Sequence, residues 1–218
     1  MNKHGLGVGS AMGILAGMVF AAPLTATAAN LDSIDAYYVA DSTLELKSGG
    51  ASAESEEGDG FGVKLTLMLG EHVFLSGLYQ STDVEDIGGA GSGVRGSTDD
   101  TRIGLGYNTS LPIYAFVEYI NYDVEVNGGS LGSASNSETG FGAHVGARFD
   151  LATYFTLDAR AGYLDIGDAD GFEYLAGIGL DLDRNFGLFA DYRVVELDGD
   201  NDAEQNTQDV RAGFRFRF

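Results

Sequence analysis

The sequence predicts an all-β protein, a closed antiparallel up-and-down β-barrel that crosses a membrane with about ten strands. Apolar residues alternate with polar or small residues along most of the chain, which is the period of a strand with two different faces. Short and long connections between these segments alternate along the chain, as they do in outer-membrane barrels. The 218 residues include 33 Gly, only 2 Pro and no Cys or Trp. That composition favours many short strands and turns and excludes disulfides.

The first 29 residues are predicted to be a cleaved secretory signal peptide. Lys3 precedes an apolar run over residues 11–22, and the small residues Ala-Thr-Ala follow at 26–28. A basic start, a short apolar core and small residues before the cut are the marks of such a signal. The run is short for a membrane helix, although an uncleaved anchor is the alternative. Residues 30–218 are then expected to form one barrel domain.

Ten segments carry the strand alternation. In the second segment Phe61, Val63 and Leu65 share one face, whereas Lys64 and Thr66 share the other. An even number of strands is usual in single-chain bacterial barrels. The predicted strands lie near 34–47, 61–69, 72–82, 101–109, 112–126, 139–149, 153–165, 172–182, 186–197 and 207–218.

The connections predict which end of the barrel faces which compartment. Those near 70–72, 110–112, 150–152 and 183–185 are short, and those at 48–60, 83–100, 127–138 and 198–206 are long and rich in Gly, Ser, Asp and Glu. The connection at 166–171 is of intermediate length. Both termini fall at the end with the short turns, which is expected to be periplasmic.

The two faces of the predicted strands are inverted relative to a soluble barrel. One face is Phe, Leu, Val and Tyr, and the other is Gly, Arg, Asp, Glu and Thr. A soluble, lipocalin-like barrel, the alternative, would hide the first face and expose the second. In lipid every backbone N–H and C=O needs a partner, so the sheet must close on itself. The sequence therefore predicts the outer membrane of a Gram-negative bacterium.

Two motifs resemble the small outer-membrane β-barrel superfamily, which includes OmpA-type transmembrane domains and opacity-protein-like barrels. They are the glycine-rich strands Gly104-Leu-Gly-Tyr107 and Gly177-Ile-Gly-Leu180, and the terminal Arg-Ala-Gly-Phe-Arg-Phe-Arg-Phe at 211–218. The resemblance covers essentially all of the expected mature chain. Many members have eight strands, which is the alternative to ten.

The same resemblance implies partners. The last strand, with Phe214, Phe216 and Phe218, would be the signal that the barrel-assembly machinery reads. Periplasmic chaperones, outer-membrane lipid and lipopolysaccharide are the other expected partners, and a monomer is expected. No peptidoglycan-binding domain is expected after Phe218.

Strand parity places most charged side chains in the barrel interior. Because unpaired charge in a confined space of low dielectric constant is costly, we expect a nearly neutral network. Asp191 should lie near Arg211 or Arg215, and Asp35 and Asp41 should face the Arg side chains of the last strand. The inward set is Lys47, Lys64, Arg102, Arg148, Arg160, Arg193, Arg211, Arg215 and Arg217 with Asp35, Asp41, Glu45, Glu118, Asp158, Glu173, Asp181, Asp191 and Asp209.

The segment 112–126 leaves its register open. Placing Glu118 in the interior also places Tyr114, Phe116 and Ile120 there.

The net charge of −21 must then lie in the long loops. Such acidity makes nucleic acid an unlikely kind of partner. Asp198, Asp200 and Asp202 are weak metal candidates, because Ala203 stands where an EF-hand-like loop needs Gly. Solvated charge with weak divalent-cation contact is expected instead. The predicted acidic crown is Glu54, Glu56, Glu57, Asp59, Asp99, Asp100, Asp198, Asp200, Asp202 and Glu204.

The sequence offers no arrangement typical of a hydrolase. His144 should face the interior, and no Asp-x-His motif of the kind found in omptin-like barrel proteases is present. Ser42 and Ser76 have no evident His partner for a barrel lipase or deacylase. No catalytic residue and no cofactor are therefore assigned.

The predicted function is a structural or interaction role at the cell surface. A narrow, low-conductance channel for ions or small solutes is the alternative, because about ten strands enclose little space. An outer-membrane hydrolase is a distant alternative.

Overall fold

The computed structural model describes residues 31–48, 51–55, 57–88, 93–128, 132–200 and 203–218. The predicted signal peptide, residues 1–29, lies outside the described residues. No helix in the described part of the chain is long and apolar enough to cross a membrane. The described residues form strands β1 (Ser33–Ser48), β2 (Ala51–Glu54), β3 (Glu57–Met68), β4 (Val73–Glu85), β5 (Arg95–Asn108), β6 (Ile113–Asn127), β7 (Ser133–Ala152), β8 (Phe155–Ile166), β9 (Ala169–Asp181), β10 (Phe186–Gly199) and β11 (Ala203–Arg217).

The strands close into one antiparallel barrel. Each wall strand pairs with the next along the chain, and β11 pairs with β1 to complete the ring. The short strand β2 pairs only with the far end of β1, so ten strands form the wall. Closure leaves no open sheet edge, which is what a lipid environment requires. The prediction of ten strands is confirmed, and the alternative of eight is wrong.

Several strands continue beyond their predicted limits at the end with the long loops. β5 begins at Arg95, whereas the sequence predicted a start near 101, and β7 begins at Ser133, whereas it predicted 139. These added residues are mostly Ser, Thr, Asn and Asp. They show no apolar alternation because neither of their faces is buried in lipid, although the backbone ladder continues through them.

The opposite end has tight turns and both ends of the described chain, Leu31 and Phe218. At the turn between β9 and β10, Asp183 Oδ1 accepts the backbone N–H groups of Asn185 at 2.8 Å and Phe186 at 2.7 Å. The N–H groups of Phe186 and Asn185 hold the pKa of the Asp183 carboxyl below its ordinary value. This turn is therefore fixed by its own side chain.

Large apolar side chains cover the outside of the barrel. Phe214 is 70% exposed and Phe141 68% exposed, while Arg102 and Glu173 on the inner face are buried. A soluble barrel would show the reverse, so the lipocalin-like alternative is wrong. Other outward apolar residues are Ile34, Phe61, Ile103, Val117 and Ile178.

A bulge in β1 changes the parity of that strand. The pairing of β1 with β11 shifts register between Val39 and Asp41, so one extra residue enters β1. Before the bulge, odd-numbered residues face inward; after it, Ser42 and Leu44 do. A bulge has this effect because side chains alternate with a period of two.

Three inward assignments are wrong for this reason. Asp41, Glu45 and Lys47 lie on the outer face of β1, where Lys47 pairs with Glu45 at 3.4 Å and Glu204 at 3.2 Å.

Candidate functional site

Charged side chains of both signs line the interior of the barrel. Among the described residues, inward-facing cations and acids are equal in number, so the interior is formally neutral when His144 is neutral. The cations are Lys64, Arg102, Arg148, Arg160, Arg193, Arg211, Arg215 and Arg217, and the acids are Asp35, Asp100, Glu118, Asp158, Glu173, Asp181, Asp191 and Asp209.

A central charge layer crosses the interior. We use this name for Asp100, Arg102, Glu118, His144, Arg160, Glu173 and Arg193. Glu173 has no exposed surface and accepts hydrogen bonds from Arg102 at 2.9 Å, Arg193 at 3.0 Å and Arg160 at 2.6 Å. Arg102 also donates to Glu118 at 2.7 Å. Charge-assisted bonds of this kind are the strong ones, and the one from Arg102 to Glu173 joins β5 to β9, which are not neighbours in the wall.

Asp100 belongs to this layer and not to the acidic crown. It is 3% exposed, accepts two hydrogen bonds from Arg102 at 2.8 and 2.7 Å, and accepts another from Arg193 at 2.9 Å. The crown assignment was wrong because β5 extends to Arg95, which continues the inward parity of Arg102 through Asp100.

Pairs of Arg and Asp lie between the central charge layer and the short turns. Arg215 donates twice to Asp35 at 2.8 Å, and Arg211 donates to Asp191 at 2.6 Å. The remaining pairs are Arg148 with Asp158, which also accepts from the Tyr114 hydroxyl, and Arg217 with Asp181 at the mouth of the barrel.

Apolar side chains pack on both sides of the charged groups. On β6 the side chain of Glu118 faces inward, and so do those of Tyr114, Phe116 and Ile120. This settles the register that the sequence left open. Toward the short turns Tyr114 and Phe116 pack with Leu31 and Phe74. Toward the long loops Ile120 packs with Leu164, Ile166, Val195 and Leu197. Strand alternation alone does not distinguish these inward apolar residues from outward ones.

His144 is enclosed within the central charge layer. Its Nε2 lies 2.9 Å from Glu118 Oε1, and its ring stacks on Phe116 with centroids 4.6 Å apart. Gly162 makes room for it, because a Cβ atom there would lie 2.0 Å from His144 Nδ1. Glu173 Oε1 lies 3.9 Å from Nδ1, which has no hydrogen-bond partner among the described residues. These surroundings hold the ring as one more member of the charge network.

Two of the cavities in the interior lie on either side of the central charge layer. The first, which we call the lower chamber, has a volume of about 40 Å³ and is lined by Asp35, Lys64, Asp158, Arg160, Arg211 and Arg215 among others. The second, the upper chamber, has about 30 Å³ and is lined by Ser42, Gln80, Asp100, Arg102, Arg193 and Asp209 among others. Glu173 binds Arg160 on one side and Arg102 and Arg193 on the other, so the central charge layer separates the chambers.

The acidic residues at the long-loop end are mostly exposed. Asp198 and Asp200, two of the metal candidates, are exposed, and Asp202 lies outside the described residues. The described part of the chain contains no group of three or more His, Asp or Glu side chains placed to hold a metal ion. Other exposed acids there are Glu54, Asp59 and Glu204, while Asp99 is half-buried and Glu56 lies outside the described residues.

The terminal aromatic residues lie on the outer face beside the short turns. Phe214, Phe216 and Phe218 are 70%, 38% and 50% exposed, and Phe216 contacts Phe186 with ring centroids 5.0 Å apart. The side-chain amide of Asn185 donates to the carbonyl of Arg217 at 2.8 Å. Recognition of these residues by an assembly machinery stays a prediction.

Sequence comparisons agree with this architecture. Residues 12–172 match the family described as outer membrane protein beta-barrel domain. The outer membrane porin PhoE of Escherichia coli K12 is 28% identical over 187 residues, which cover 79% of this chain and 50% of PhoE. The PhoE of Enterobacter cloacae is 27% identical over 208 residues, which cover 88% and 57%. The chain thus spans about half the length of the curated relatives that it matches.

Two solved structures are similar to this chain at low sequence identity. The outer membrane protease OmpT from Escherichia coli has a TM-score of 0.50 at 9% identity, covering 85% of this chain and 96% of OmpT. Ail, the attachment invasion locus protein of Yersinia pestis, has a TM-score of 0.42 at 15% identity, covering 85% and 99%. Likeness at these identities concerns the fold alone.

Proposed function

We propose that this chain, which belongs to the outer membrane protein β-barrel domain family and resides in the outer membrane of a Gram-negative bacterium, is a structural and interaction barrel of the cell surface. The observation that carries the proposal is the central charge layer. Its side chains bond to one another across the interior and leave Glu173 with no exposed surface. A layer so connected opposes the flow of water and ions.

The outer face suits contact with lipid and lipopolysaccharide. Outward Tyr side chains donate to acidic residues nearer the long loops, as Tyr38 does to Asp59 at 2.9 Å and Tyr163 to Asp170 at 2.6 Å. Aromatic residues with a polar tip favour the boundary between hydrocarbon and headgroups. The exposed acids above them would need divalent cations between them and the phosphates of lipopolysaccharide. We propose outer-membrane lipid, lipopolysaccharide and divalent cations as partners, together with the barrel-assembly machinery and periplasmic chaperones. We also propose that the barrel is a monomer.

Conductance in planar bilayers tests the proposal. Purified wild-type protein should give little conductance, because the central charge layer fills the interior. Glu173→Gln should raise the conductance, since three Arg side chains would lose a shared carboxylate. Glu196→Gln, an exposed position on the outer face of β10, is the matched control and should behave as the wild type. Steady, large conductance from the wild type would refute the proposed plug.

A narrow channel is the second candidate, and the two chambers favour it. They lie on either side of a single layer of side chains, so a modest rearrangement of that layer would join them. The named relative PhoE is a porin, although this chain covers only half of its length. Small, reproducible conductance steps of the wild type that scale with salt concentration would support this candidate over the first.

We also propose that the barrel has no hydrolytic activity. The polar groups that face His144 are carboxylates of the charge network, Glu118 and Glu173. Refolded protein should show no protease, lipase or deacylase turnover above background. Hydrolysis that is measurable in the wild type and lost in His144→Ala would overturn this proposal.

A further inference from the structure

We propose that the lower chamber binds one small monovalent anion beside Lys64. The residue lies on the inner face of β3, and its side chain lines two adjoining cavities. The proposal concerns the interior alone and does not depend on whether the barrel conducts.

Lys64 is an inward cation without a carboxylate partner. Among the described residues, no carboxylate oxygen lies within 4.0 Å of its ammonium nitrogen. The three acids that line the same chamber are already held by Arg, namely Asp35 by Arg215, Asp158 by Arg148 and Asp191 by Arg211. An ammonium group that is removed from bulk water without a counter-charge is costly, so a mobile anion is a favourable partner.

The interior is neutral overall, but each side of the central charge layer carries an excess charge of opposite sign. Around the lower chamber, Arg148, Arg211 and Arg215 are each matched by one Asp, which leaves Lys64 in excess. Beyond the central charge layer the excess is negative. There Asp209 is held by the Ser42 hydroxyl at 2.8 Å and the Gln80 amide at 3.1 Å, with Arg193 at 3.5 Å. The two excess charges are separated by the layer, so neither neutralises the other directly.

A second donor in the lower chamber also lacks a partner. Arg160 lines the chamber and gives one hydrogen bond to Glu173 through Nη2, but its buried Nε has no hydrogen-bond partner among the described residues. Lys64 and Arg160 thus bring two cations to the wall of one cavity. With Arg211 and Arg215 the chamber is lined by four cations against the three acids Asp35, Asp158 and Asp191, so its wall carries an excess of positive charge.

The size of the chamber limits the ligand. Its volume of about 40 Å³ has room for a few water molecules or one small ion, since a water needs roughly 10–15 Å³ by the same measure. The adjoining cavity of about 20 Å³ is lined by Ser33, Thr66 and Ser76 and leads toward the short turns. Chloride and a carboxylate as small as formate have a charge and a size that suit this volume.

Thermal stability in different sodium salts tests the proposal with the full barrel in detergent. At equal ionic strength, chloride or formate should raise the Tm of the wild type relative to gluconate, because a ligand of the folded state stabilises it. Whichever of chloride and formate raises the Tm more is the anion that the chamber prefers. Lys64→Met should lose this difference. Arg184→Met, which removes a cation from an exposed turn, should keep it. An equal chloride effect in the wild type and in Lys64→Met would overturn the proposal.

Crystals of the wild type grown in bromide provide a direct test that needs no variant. Bromide scatters anomalously and replaces chloride in small-anion sites. An anomalous peak in the lower chamber within contact distance of Lys64 Nζ supports the site. A chamber that holds only water at high bromide concentration overturns it.

Discussion

Arg215 and Asp35 join the last strand of the barrel to the first. Nε and Nη2 of Arg215 each donate to one carboxylate oxygen of Asp35 at 2.8 Å, although 180 residues separate them along the chain. Both side chains are buried, and they lie opposite each other in the ladder of β11 and β1. The pair therefore closes the barrel with charge as well as with backbone hydrogen bonds.

Removing one member of this pair should destabilise the barrel strongly. Arg215→Met leaves Asp35 without its bidentate partner, and breaking a buried pair on one side typically costs about 3–5 kcal/mol. The double variant Asp35→Asn, Arg215→Met should recover much of that loss, because no buried charge is left unpaired. Urea unfolding in detergent measures the difference. Arg95→Met is the control, since Arg95 and its partner Glu85 are largely exposed. Equal losses in Arg215→Met and Arg95→Met would contradict this account.

Gly162 should be needed for the position of His144. A Cβ atom at residue 162 would lie 2.0 Å from His144 Nδ1, so Gly162→Ala forces the ring away from Glu118. Overpacking of this kind costs about 1–3 kcal/mol. Gly77→Ala is a matched control within β4, because no heavy atom lies within 4 Å of the added methyl. Unfolding measurements on both variants check the prediction, and His144→Ala combined with Gly162→Ala should relieve the clash. Similar stability of the two glycine variants would argue against it.

Phe218 should matter for assembly more than for folded stability. Deleting it should reduce incorporation into the outer membrane and leave aggregates in the periplasm. Cell fractionation at physiological expression measures this. Phe141→Ala removes an aromatic that is even more exposed than Phe218, from the middle of β7, and this variant should be incorporated better than the deletion. Normal incorporation of the deletion would refute the predicted assembly signal.

The turn held by Asp183 should loosen in acid. Its pKa is lowered by the hydrogen bonds from Phe186 and Asn185, so the carboxylate stabilises the turn fully above the ordinary Asp value of about 3.9. That contribution is lost as the pH falls through the lower pKa of the folded state. Amide hydrogen exchange at Asn185 and Phe186, corrected for intrinsic rates, should show protection that disappears in this range. Asp183→Ala should lack that protection at every pH; an unchanged exchange rate in the variant would show that the side chain does not hold the turn.

The sequence by itself determined the fold and the environment of this protein. Alternation assigned one apolar face to the strand in every segment except 112–126, and an apolar outer face suits lipid. Arg215 and Asp35 were assigned to the interior by parity alone, and the structure places them there. These features are local, because a period of two is visible within a single strand.

Features that involve two strands were decided by the tertiary structure. The bulge between Val39 and Asp41 exists only relative to β11, and it sends Asp41, Glu45 and Lys47 outward. Asp100 turned inward because the backbone ladder of β5 continues through a polar segment that carries no alternation. Both effects depend on hydrogen bonds to a neighbouring strand, which no pattern within one strand records.

The partners within the interior were also decided only by closure. Arg193 donates to Asp100, 93 residues away, and Arg102 to Glu173, 71 residues away. Parity established that Arg102, Glu173 and Arg193 point inward, but which acids they meet depends on the stagger of all the registers around the ring. Among the described residues, Lys64 has no carboxylate within 4.0 Å for the same reason: the alternation assigned most charges to a face, and the geometry of closure decided which charges touch.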